Sequence, residues 1–220
     1  MSLTQGPTSQ VTSQQLLVPQ TAEAAPVQTE EVYPVFAKLE DRNLVLPVAA
    51  SRATIIAYGA SSNEAAVPLE PLGSQVNGGV VSRGLERVFS GESTIKYYLL
   101  GSEGRSVCKT GTVAVGAAPG TPVMSPVNGT VTGVRAYMLY GKYEDVQIDI
   151  RPEGLGDLTV SLLLIEEPVV NIGQTVTAGK TQLGKVRAPQ GDIGERLTEF
   201  THDSGSHLHM EVTRDQAAAN

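Results

Sequence analysis

The sequence predicts a mostly-β protein whose second half forms a β-sandwich or hybrid barrel and whose first half carries a smaller strand-rich portion. Three observations predict this. Gly and Pro are abundant, 23 and 13 of 220 residues, and Trp is absent, a composition suited to many short strands joined by turns. Apolar and β-branched runs of strand length recur from residue 43 to the end. Only one stretch, 80–89, has helical spacing, through Val81, Leu85, Val88 and Phe89 with Gly91 behind it as a stop.

Residues 1–34 are rich in Gln, Thr, Ser and Pro, contain no Lys or Arg and have no aromatic before Tyr33. Such a segment buries too little surface to offset its ordering entropy and is expected to be a flexible tether. Leu16-Leu17-Val18 is too short for a signal-peptide core, so an exported protein would carry its leader or anchor upstream. No run of about 18 apolar residues is present, which excludes a membrane-spanning helix in this sequence. The net charge of -7 and a pI near 5.0, without clustered Lys and Arg, argue against nucleic acid as a partner.

The strand-rich portion is expected over 35–107. Its candidates are Asn43-Leu44-Val45-Leu46-Pro47-Val48, Arg52-Ala53-Thr54-Ile55-Ile56-Ala57-Tyr58 and Ile95-Lys96-Tyr97-Tyr98-Leu99-Leu100. Further strands are expected at 130–139, at 145–151 with alternating Val146, Ile148 and Ile150, at 158–165, at 184–188 and at 207–213.

The second half contains an internal echo. Gly120-Thr121-Pro122-Val123 and Gly173-Gln174-Thr175-Val176 each place Val three residues after Gly, ahead of a small-residue turn and a strand. The pair fits two halves of a duplicated hybrid motif, with Gly opening the turn and Val plugging the barrel; two unrelated turns of similar chemistry would leave the same pattern.

Chemistry concentrates in His207-Leu208-His209-Met210-Glu211-Val212. In a strand, residues two apart share a face roughly 6–7 Å apart, so His207 and His209 project together while Leu208, Met210 and Val212 turn to a core. The only other His is His202 and the only Cys is Cys108, which excludes an intrachain disulfide and a cysteine-rich zinc site. Cys108 reads as a small buried hydrophobe. Lys180 reads as a solvated lysine, Asn128-Gly129-Thr130 as a turn, and Glu144, Asp145, Glu166 and Glu167 as solvated turn carboxylates.

The run Ala118-Pro119-Gly120-Thr121-Pro122-Val123, then Ser125-Pro126 and Gly129-Thr130-Val131, then Val170-Asn171-Ile172-Gly173-Gln174-Thr175-Val176, and finally Ser206-His207-Leu208-His209-Met210-Glu211-Val212, resembles the lysostaphin-like (LytM-type) zinc metallopeptidase domain. The resemblance covers about 108–214 and leaves 215–220 as a tail. It implies enzymes that cut cell-wall peptides, with zinc held by a His, an Asp four residues later and the second His of the His-x-His pair, here His209, and a water in the fourth position.

The positions implied for the first two ligands hold Thr110 and Ala114, or Lys109 and Val113 with one residue inserted, and a further catalytic His corresponds to about Leu164. What is implied is a degenerate member without intact catalytic residues and without a cofactor. His207 and His209 would be groove groups, with His209 a vestigial ligand. The expected protein is an extracytoplasmic bacterial module that binds a cell-wall peptide or regulates another envelope hydrolase. Two alternatives follow from the same residues: an active zinc endopeptidase whose metal site is rebuilt from His209 with His202 and Asp203, and a structural envelope domain with no ligand.

Overall fold

The computed structural model describes residues 30–76, 89–90, 94–100 and 108–215. In chain order the strands are β1 (Val35–Leu39), β2 (Arg42–Val45), β3 (Ile55–Ser61), β4 (Glu70–Pro71), β5 (Ser74–Gln75), β6 (Phe89–Ser90), β7 (Thr94–Leu99) and β8 (Cys108–Gly116). They continue with β9 (Pro122–Met124), β10 (Gly129–Leu139), β11 (Tyr143–Pro152), β12 (Leu158–Glu166), β13 (Thr175–Val176), β14 (Gln182–Val186) and β15 (His207–Arg214), and one short helix, α1 (Glu195–Thr198), lies between β14 and β15. The mostly-β class is therefore what the chain adopts, as large open sheets rather than a closed barrel. The helix expected over 80–89 lies outside the described residues except for Phe89, which belongs to β6.

The main sheet runs β13-β10-β11-β12-β15-β8-β3-β7-β5, and a three-stranded sheet, β2-β1-β4, stands beside it. Strands from both sides of residue 107 share the main sheet, because β3 pairs antiparallel with β8 from Ile55↔Gly116 to Ser61↔Cys108. One apolar core joins them: Phe36, Leu44 and Tyr58 pack in the same cluster as Val123, Ile148, Leu162 and Leu208. Cys108 is buried and unpaired.

The two echoed segments fold against each other. Gly120 and Gly173 both take left-handed backbone, φ 77° and 86°, a region open to Gly at no steric cost, and Val123 and Val176 are both buried. β9 pairs with β14 and β10 with β13, and further backbone bonds run from Ser125 N to Thr181 O (2.9 Å) and from Val186 N to Thr121 O (2.8 Å). The side chain of Asn128 accepts from Ala178 N at 2.9 Å, so the Asn-Gly turn ties one copy to the other.

Candidate functional site

Alternation along β15 splits its side chains as a half-buried strand requires. Leu208, Met210 and Val212 enter the core, and His207, His209 and Glu211 occupy the opposite face, where Gly116, Ala114 and Thr112 of β8 stand beside them. On the other flank β12 places Leu163 beside His209 and Ser161 beside Glu211. The same face continues through Asp149, paired with Ser161, to Gly133 and Arg135 on β10, since Gly133 pairs with Asp149 and Arg135 with Gln147.

A polar row thus crosses the sheet. Asp149 accepts from Arg135 Nη2 (2.6 Å), Gln147 Nε2 (2.6 Å) and Ser161 Oγ (2.7 Å), and Glu211 accepts from Ser61 Oγ (2.8 Å).

One end of this face is covered. Leu197 of α1 packs on Ile55, Ala57 and Ala114 in a second apolar cluster flanked by Tyr98 and Leu100, and the Phe200 ring lies 5.3 Å from that of Tyr98. The neck of this covering loop is closed by two left-handed glycines, Gly194 (φ 96°) and Gly205 (φ 72°). A Cβ on Gly194 would stand 2.4 Å from Gly205 O, so the two backbones meet only because neither residue has a side chain.

Both imidazoles are half-buried, and burial lowers their pKa. That of His209 falls to about 4, with neighbouring His207 adding to the effect. His207 also lies below the ordinary value, mainly through burial and in spite of its bond to Gly205 O. That carbonyl stands 2.8 Å from His207 Nδ1, so Nδ1 donates and Nε2 of the neutral ring is left as an acceptor.

The pairing of β8 with β15 selects between the two alignments of the missing ligands. Ala114 stands directly beside His209 and Thr110 lies four residues before it on the same strand, whereas Val113 points into the main core. Thr110 donates its hydroxyl to Leu69 O at 2.7 Å. At the third implied position Leu164 is buried and left-handed, φ 64°. The strain arises at a bulge, where the β11–β12 register slips between Val146 and Ile148.

His202 and Asp203 sit exposed on the covering loop. Asp203 accepts from Thr201 Oγ1 (2.7 Å) and Gly205 N (2.9 Å). Desolvation pushes its carboxyl up, but these bonds and one from Thr54 outweigh it and hold the pKa below the usual value. Among the described residues no group of three or more His, Cys, Asp or Glu side chains is placed to hold a metal. The donors present do not fit zinc, because a methyl and a hydroxyl already bonded elsewhere occupy the two ligand positions on β8.

Arg187, which the sequence does not single out, forms a buried ion pair with Asp145 and lines one small cavity with His207. Asp145, expected as a solvated turn residue, is instead only 4% exposed inside β11. It accepts from Tyr137 Oη (2.5 Å) and Leu164 N (3.1 Å), and its Oδ1 lies 3.6 Å from Nη1 of buried Arg187. The signal available was position: Asp145 shares strand parity with Gln147 and Asp149, opposite the apolar Val146, Ile148 and Ile150. Arg187 directly follows β14 and gave no signal. Lys180 is exposed, as its bland reading expects.

No family model and no curated protein matches this sequence. Among solved structures the chain is similar to lysostaphin (19% identity over 49% of this chain and 38% of that one, TM-score 0.36). It is also similar to a zinc-containing peptidase from Vibrio cholerae (22% identity over 50% of this chain and 28% of that one, TM-score 0.35). A third is an M23 metalloprotease, pseudoalterin, from the deep sea (14% identity over 75% of this chain and 66% of that one, TM-score 0.36). The chain spans well under half the length of the first two, and its structural neighbours are lysostaphin and zinc peptidases of the M23 type.

Proposed function

We propose that this chain is a non-catalytic, lysostaphin-like module of the bacterial envelope whose histidine-bearing sheet face binds a cell-wall peptide or docks onto another wall hydrolase. The observation that carries the reading is the pairing of His209 with Ala114. It leaves the imidazole without the Asp ligand that the resembled peptidases place beside it, and so short of the three protein ligands a catalytic zinc takes. The polar row of Asp149, Ser161 and Glu211 continues from the two imidazoles across the same sheet face, and Nε2 of His207 is left there as an acceptor of the kind an extended peptide can use. The motif blocks in the sequence support an extracytoplasmic setting.

Co-sedimentation of the full chain with purified peptidoglycan tests the reading. Retention that is lost in Glu211→Ala and His209→Ala variants is the expected result. Zinc bound at about one equivalent, lost in His209→Ala, together with cleavage of wall peptides would replace it with the active endopeptidase. Neither retention nor cleavage, with no effect on an added hydrolase, would leave a structural envelope domain.

A further inference from the structure

Of Arg187's nitrogens, Nη1 donates to Glu144 O and faces Asp145. Nε and Nη2 are buried with no hydrogen-bond partner, as is Asp145 Oδ1. Nε and Nη2 form one planar edge of the guanidinium, the edge that grips a carboxylate through two parallel bonds. A buried donor pair left unmade is rare enough to need a reason. Arg187 also lines a small cavity with Leu164, Pro189, Ile193, Ser206 and His207. Its open volume of about 10 Å³ holds one water at most.

We propose that Arg187 anchors a carboxylate-binding subsite beside His207, which takes the free C-terminal carboxylate of a bound peptide once the covering loop lifts. The inference rests on the peptide-binding reading above. The occupant is a monoanionic carboxylate rather than a phosphate, because Asp145 already places one negative charge against the same guanidinium and a dianion would face it at close range. In the closed state the loop residues Pro189 and Ile193 form one wall of the cavity. α1 is held down by Leu197, its one buried residue, so release of that side chain opens the wall.

The test is calorimetric titration of the full chain with acetyl-D-alanyl-D-alanine and with its C-terminal amide, alongside peptidoglycan co-sedimentation. The acid should bind at least tenfold more tightly than the amide. The preference should disappear in Arg187→Met, weaken in Arg187→Lys, and the acid's affinity should rise in Leu197→Ser. Equal binding of acid and amide by the unaltered chain overturns the inference without any variant having to fold, as does an Arg187→Met protein that keeps the preference, or displacement of the acid by inorganic phosphate more readily than by acetate. Retention on peptidoglycan with no preference for the acid sinks the subsite and leaves the wider reading standing. Selective acid binding without retention on peptidoglycan does the reverse.

Discussion

His209 should make this protein acid-sensitive in a defined window. Its pKa is about 4 in the folded chain against an ordinary 6.5, chiefly because burial disfavours the charged ring. As pH falls the unfolded state takes up the proton first, so this contribution to stability is complete above pH 6.5 and is lost as pH falls towards 4. At about 1.36 kcal/mol per pH unit, the loss by pH 4.5 is about 2.5 kcal/mol. The assay is urea unfolding of the native chain and of His209→Gln between pH 7.5 and 4.5. Gln keeps a similar bulk and does not titrate, so the stability of the native chain relative to the variant should fall by about 2.5 kcal/mol over that range. The interval stays above the window of Asp203, whose lowered pKa gives stability that is lost only as pH falls further. Parallel pH profiles for the two proteins, or a His209 ring that titrates near 6.5 by NMR, would refute the reasoning.

Three other perturbations probe the same region. Leu197→Ala should cost the covering loop about 2–3 kcal/mol of closing free energy, seen as faster hydrogen exchange at Phe200 and Thr201, whose amides bond to Leu197 O; unchanged exchange there with a lower global stability would contradict it. Asp145→Ala should destabilise by about 3–5 kcal/mol because it leaves the Arg187 charge buried without its partner, and a loss under about 1 kcal/mol in denaturant unfolding would show that the pair is already solvated. The double change Thr110→His and Ala114→Asp adds two donors on β8, the Asp beside His209 and the His four residues before it, and should raise bound zinc to about one equivalent by elemental analysis; uptake no greater than that of the unaltered chain would mean that these two positions do not converge on His209.

Local pattern made much of this molecule legible. The two-residue period placed Leu208, Met210 and Val212 in the core and His207 and His209 together on the other face, because a strand admits no other arrangement. The echo placed two left-handed glycines and two buried valines at matching positions, since turn chemistry is local. What escaped was long-range. Nothing in residues 55–61 announces that they pair with 108–116, because register between distant strands is set by packing and not by either segment alone. Asp145 looked like a solvated carboxylate because its partners, Tyr137, Leu164 and Arg187, come from three other parts of the chain. The covering loop was equally silent: Leu197 is one leucine in a polar stretch, and its burial exists only once Ile55, Ala57 and Ala114 have come together.

The pairing of β3 with β8 bears on how the histidine face could be isolated. A fragment starting at Cys108 would retain every block that resembles the peptidases, yet it would strip the neighbour from one flank of β8 and leave a long row of unmet amides and carbonyls next to the strand that bears His209. Such a bare flank is a template for another chain, so the excised half should self-associate through β8 where the intact chain does not, and loss of ligand binding by that fragment would then report a blocked face rather than a missing one.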